Sequence, residues 1–279
     1  MRMSLFVSSL WIASTAVLLV ADRGSAAAGF ALLVYVGGAA LLTRRFVAAP
    51  KQRAQSEHRQ KASRTDGVVI AIAFVFAAFV YGFIANRVLW IPIVGDAWIA
   101  FVRSRPPFGA TTIANVVLYV VVPTLVLLRV GSALPHVGLG KGNAGTFKAT
   151  ALSLALPCVI LVVQIVRGTL AQSPAFVVVR NFLSSGFSEE YLFRGLILGY
   201  LSRLMPFSSA NFAQAVLFGI FHVASSLDES SPVGLAAYLT ATSVIPGYLL
   251  GWIRQRTGTL WMPVGIHTAL GVLKDCLLR

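Results

Sequence analysis

The chain has 279 residues, of which 57% are hydrophobic and 11% charged, and its formal net charge is +14. Length alone would allow one or two soluble domains, but the composition excludes that class. Eight charge-free runs of at least 17 residues occupy 3–21, 24–43, 67–86, 106–128, 149–166, 204–227, 230–253 and 257–273.

A bilayer core about 30 Å thick is crossed by about 20 apolar residues of helix. Backbone polar groups in lipid must be paired within their own segment. The expected fold class is therefore all-α, a polytopic transmembrane helix bundle. A further segment at about 177–204, with charges in its middle, raises the expectation to eight or nine spans. That composition points to a multi-pass integral membrane protein, and the expected location is a bacterial cell membrane.

The first two runs are separated only by Asp22-Arg23, the pattern of a retained helical hairpin rather than a cleaved signal peptide. A strongly basic soluble chain would suggest nucleic acid; here the excess is read as membrane topology, with the bilayer as partner and no nucleic acid. Arg44, Arg45, Lys51, Arg53, Arg59, Lys61 and Arg64 mark 44–66 as a cytoplasmic loop beside anionic headgroups. The first four spans carry no acid and no histidine, so residues 1–130 read as N-terminal scaffold helices. Trp90 and Trp98 suit an interfacial segment. Residues 130–148 are glycine-rich and read as a linker; "GLGKGNAG" lacks the spacing of a phosphate loop. Cys158 and Cys276 are expected to be packing residues, since two such cysteines make neither a disulfide framework nor a metal site.

Ionisable groups inside a bilayer are costly and are functional candidates by default. Two of the four glutamates, Glu189 and Glu190, stand in "SGFSEEYLFRG" with Arg194, while His222 and His267 lie within apolar runs. Glu189 precedes Arg203 by 14 residues and His222 follows Ser208 by 14, roughly 21 Å of helix in each case. An antiparallel pair then brings Glu189 and His222 to one depth. His267, 11 residues past Arg256, lies roughly 16 Å along its own helix, and tilt absorbs the difference. Adjacent helical positions point about 100° apart, so the two glutamates do different work. Glu190 and Arg194 form an i,i+4 pair with the acid first, which leaves Glu189 to face His222. The same three residues, Glu189, His222 and His267, have the donor types of a His₂Glu zinc site, although no His-Glu-x-x-His helix is present.

Glu-Glu-x-x-x-Arg at 189–194, Phe-x-x-x-His from Phe218 to His222 and His267 in a late helix together resemble the CPBP family. These are the CAAX-processing and bacteriocin-processing intramembrane glutamic endopeptidases, also called Abi proteins. The resemblance covers roughly residues 145–279, and implies a catalytic helix core there.

It implies that Glu189 and His222 activate a water, that His267 stabilises the oxyanion, and that Glu190, Arg194 and Phe218 support them. The implied substrate is a membrane-associated peptide or protein, with no cofactor required and zinc as the alternative. One position departs from the pattern: the family's last motif continues to Asn or Asp, whereas here it reads His267-Thr-Ala-Leu-Gly271, with Asp275 a turn further on. That departure keeps a non-catalytic immunity, chaperone or scaffold protein in view; a transporter would need a charged path through the first four spans. On topology, counting nine spans from a cytoplasmic 44–66 turns the His222 end outward, whereas the CAAX-processing branch implies a cytosolic opening.

Overall fold

Apolar runs punctuated by glycine, proline and short polar turns give helices throughout; among the described residues there is no strand. The computed structural model describes residues 23–48, 109–129, 137–170, 172–223 and 232–277. The runs at 3–21 and 67–86, residues 49–66 of the basic loop, Trp90 and Trp98 lie outside them.

In chain order the helices are α1 (Arg23–Phe46), α2 (Gly109–Val116), α3 (Val122–Arg129), α4 (Ala144–Val166), α5 (Pro174–Asn181), α6 (Ser188–Glu190), α7 (Leu198–Leu204), α8 (Phe207–Phe221), α9 (Pro232–Leu239), α10 (Ile245–Thr257) and α11 (Trp261–Leu277). Wider π-helical turns fuse several of them into continuous rods: Val117–Val121 joins α2 to α3, Phe182–Phe187 joins α5 to α6, Tyr191–Ile197 joins α6 to α7, and Thr240–Val244 joins α9 to α10. The described residues thus form seven passages between two ends of one bundle. Two of these helices, Ala144–Val166 and Gly234–Thr257, are long and apolar enough to cross a membrane, and Thr112–Leu125 and Phe207–Phe221 are shorter apolar helices.

Helix α4 begins earlier than the linker expectation allowed. Asn143 caps it, its side-chain oxygen accepting from Thr146 N–H at 2.8 Å, which satisfies an otherwise orphan donor of the first turn. The face of α4 turned inward is Thr146, Ala149, Ser153 and Pro157, a stripe of small residues at helical spacing. Its large side chains, including Phe147, Leu156, Val159 and Val162, are exposed. In water that pattern would be inverted; it is the arrangement of a helix packed through small residues and surrounded by lipid. Cys158 lies on the exposed side, so it is not the packing residue expected.

One apolar cluster joins α1, α4, α10 and α11 through Val36, Ala149, Ile253 and Ile266. A second, built from Val137, Tyr191, Tyr200, Leu260 and Val264, closes the end of the bundle where α7 turns into α8. At that end Leu260 N–H donates to Gly138 O at 2.8 Å and Thr259 Oγ1 donates to Gly140 O at 2.7 Å. Gly258, at φ +70°, ends α10 in the left-handed conformation that glycine adopts without a Cβ penalty.

Candidate active site

The buried polar side chains concentrate where the rod 174–204 meets α8, α10 and α11. Glu189 and Glu190 sit in a single α-helical turn held between two π-helical turns. A π turn adds a residue per loop of helix and leaves backbone carbonyls without their usual donors. Here neighbouring polar groups take them up: Asn115 Nδ2 donates to Ser184 O at 2.7 Å, and the Ser188 hydroxyl donates to Leu183 O. One of these bonds ties the rod to α2 and the other closes within the rod, both just ahead of the two glutamates.

Glu190 and Arg194 are both fully buried, with Glu190 Oε1 3.0 Å from Arg194 Nη1. The guanidinium also stacks on Phe218, its Cζ 4.2 Å from the ring centroid. A Cβ on Gly247 would come within 3.1 Å of Arg194 Nη2 and 3.2 Å of Phe218, so glycine at that position makes the room that the arginine fills. A second partner of Glu190 was not foreseen in the sequence: His267 Nδ1 stands 2.8 Å from the same Oε1. With Arg194 on it the carboxylate is an acceptor, so His267 Nδ1 carries a proton, and Nε2 points away.

His222 caps α8, and its Nδ1 lies 2.8 Å from Phe218 O. A carbonyl only accepts, so His222 is also protonated at Nδ1. Both histidines then present Nε2 to Glu189: Oε2 is 3.8 Å from His222 Nε2 and 3.9 Å from His267 Nε2. These separations exceed direct hydrogen bonds and suit one small polar molecule between the three groups. The side chains are 9% (Glu189), 15% (His267) and 27% (His222) exposed, so the group is buried but open at His222. Phe218 lines it edge-on, 4.5 Å from the His222 ring and 6.1 Å from the His267 ring between centroids. Among the described residues no group of three or more His, Cys, Asp or Glu is arranged to hold a metal ion.

At Gly271 the absent side chain has a physical counterpart. A Cβ there would stand 2.8 Å from Asn181 Cγ and 3.1 Å from Asn181 Cβ: the amide of α5 occupies the space over the glycine. Asn181 Nδ2 donates to Val177 O at 2.9 Å and to Asp275 Oδ2 at 2.7 Å, and Asp275 is paired with Arg180. Asp275 is thus engaged with α5. Likewise a Cβ on Gly186 would meet Thr268 Cβ at 3.1 Å, so α11 approaches the motif rod closely on either side of His267.

Two more buried amides, Asn211 and Gln214, tie α8 to α10: Asn211 Nδ2 donates to Tyr248 O at 2.8 Å, and Gln214 Nε2 to Gly247 O at 3.1 Å. The sequence signal for all three amides was present, neutral polar residues inside apolar runs, but an inventory of ionisable groups passes over it.

Residues 171–273 match the family described as type II CAAX prenyl endopeptidase Rce1-like. The matched stretch holds the whole Glu-Glu-x-x-x-Arg rod, α8 and His267. It is shorter than the 145–279 suggested by the motifs, leaving all of α4 outside. The resemblance read from the sequence holds over that stretch, and the family is one of membrane proteases. No curated protein and no solved structure gives a significant match.

Proposed function

We propose, on the family match over residues 171–273, that this chain is an intramembrane endopeptidase that hydrolyses a peptide bond of a membrane-associated protein or peptide. The observation that carries the reading is the convergence of two histidine Nε2 atoms on one carboxylate oxygen, at 3.8 and 3.9 Å, inside an apolar bundle. A water between these groups has two protons to offer. Glu189 takes one as general base while His222 Nε2 accepts the other O–H and orients the oxygen. Attack on the scissile carbonyl forms the new C–O bond and moves the π electrons onto oxygen. His267 faces that oxyanion: with both ring nitrogens protonated, Nδ1–H goes to Glu190 and Nε2–H is left for the substrate. Collapse expels the amine, which takes the proton from Glu189. A donor aimed at such an oxyanion contributes roughly 3–4 kcal/mol in soluble enzymes. Glu190, Arg194 and Phe218 are positioning residues in this scheme.

The same reading gives the chain eight or nine spans in a bacterial cell membrane, with residues 1–130 as scaffold and 145–279 as catalytic core. It needs no metal, so a chelator leaves the activity unchanged. A single experiment tests it: membrane and secreted peptides are compared between cells expressing the wild type and cells expressing Glu189→Gln or His222→Ala. Cleavage products are expected only with the wild type, with both variants accumulating as folded protein. Undiminished cleavage by both would reject the mechanism.

One observation favours a second reading, a non-catalytic immunity, chaperone or scaffold protein that keeps the polar core for binding. Gly271 stands where the family carries Asn or Asp, and both amide N–H groups of the Asn181 that fills the space are already committed. The peptide comparison separates the two, because that reading predicts identical profiles.

A further inference from the structure

The two ends of the bundle differ in charge. At one end Arg44 and Arg45 close α1, Arg129 closes α3, Lys141 and Lys148 flank the start of α4, Arg203 lies in the last turn of α7, and Arg254 and Arg256 end α10. No Asp or Glu accompanies them among the described residues. Contacts hold these positions together: Arg256 Nε donates to Val47 O at 2.9 Å, Lys148 Nζ lies 4.5 Å over the Phe46 ring, and Val137, Tyr200 and Leu260 share one cluster. The sequence leaving α1 at this end adds Lys51, Arg53, Arg59, Lys61 and Arg64. The opposite end has Arg23, Arg167, Arg180 and Lys274, with Asp275 paired to Arg180, and the sequence entering α2 there carries Arg103 and Arg105. Cytoplasmic segments of membrane proteins carry the excess of Lys and Arg, so the first end is the cytoplasmic one.

Burial around the site runs the other way. From Tyr191 to Leu198, between Glu189 and the basic end, every residue is buried, and on α8 so are Ala210, Asn211, Gln214, Ala215 and Phe218. That side is a solid floor. Away from the basic end Phe182, Leu183, Ser184 and Ser185 are half-buried, and α8 stops at His222, the most exposed of the three site residues.

We infer that the Glu189–His222–His267 site is entered from the extracytoplasmic side of the membrane, so that its substrates are peptide segments already displayed on that side. The entry side stands on charge and burial alone. The statement about substrates rests in addition on the endopeptidase reading, and the test below uses no activity, so failure of either is told apart.

Single cysteines are placed in the full chain after Cys158→Ala and Cys276→Ser: Lys141→Cys at the basic end, Gln172→Cys at the opposite end, and Val223→Cys beside the site. Right-side-out membrane vesicles are treated with a charged, membrane-impermeant maleimide before and after permeabilisation. The expected result is labelling of the Gln172→Cys and Val223→Cys proteins in sealed vesicles and of the Lys141→Cys protein only after opening. His222→Cys reports the same point should Val223→Cys not accumulate. Labelling at the site only after permeabilisation, from neither side, or together with Lys141→Cys overturns the inference.

Discussion

Glu190 is the residue on which the site's geometry turns. One oxygen of its carboxylate meets both Arg194 Nη1 and His267 Nδ1, so a single buried acid neutralises a buried guanidinium and fixes the ring orientation of a histidine on another helix. Such a pair adds little net stability over an apolar replacement, but removing one member strands the other charge. Gly271 shows the same economy of space in a neutral setting. Asn181 lies where a side chain at 271 would go, so Gly271→Asn overpacks the α5–α11 contact and is expected to cost ~1–3 kcal/mol. Thermal unfolding in detergent micelles measures it. Combined with Asn181→Ala, the loss is expected to be smaller than the sum of the two single losses, the non-additivity of residues in contact; simple additivity would mean that the two positions do not share that space.

At the level of elements, the α8–α10 interface combines glycines with amides. A Cβ on Gly251 would stand 2.9 Å from Asn211 Cγ and 3.0 Å from Gln214 Nε2, and both amides are held by hydrogen bonds, Asn211 to Tyr248 O and Gln214 to Gly247 O. They have no slack to give. Gly251→Ala is therefore expected to lower the apparent melting temperature, by the equivalent of ~1–3 kcal/mol, whereas alanine at Gly140, which has open space around it, leaves it unchanged. The π-helical turns on both sides of Ser188–Glu190 belong to this scale too. They set the rotation of α5 against the two glutamates, and so decide that Asn181, rather than a neighbouring position, covers Gly271.

For the molecule as a whole, helix α4 gives the clearest mark of its solvent. Small residues face inward and large apolar ones outward, with Cys158 among the latter. A nitroxide attached at Cys158 in proteoliposomes is expected to relax more through dissolved oxygen than through a water-soluble nickel chelate; the opposite order would place that face in water.

This scale also shows what the sequence can and cannot reveal. Glu189, Glu190, Arg194, His222 and His267 were legible because charge in an apolar run is conspicuous, and counting residues along antiparallel helices put Glu189, His222 and His267 at one depth. Glu190's bond to His267 was not, because sequence distance along two helices gives height but not the angle at which they face. Asn181, Asn211 and Gln214 carry no charge and blend into apolar runs. The π turns leave no periodic trace over five to seven residues. The start of α4 was masked by glycines on both sides of Asn143, where an ordinary cap begins the helix.

The shortness of α8 has one more consequence. Its 15 residues rise about 22 Å, against a hydrocarbon layer of about 30 Å. In the membrane placement proposed for the chain, the end that carries His222 stops well below one surface of an average bilayer, and the lipid beside it thins or leaves a wet depression. Acyl-chain length becomes a variable of access: in a thin membrane the three site residues lie near the headgroups, and in a thick one the same unchanged protein keeps them at the bottom of a pit.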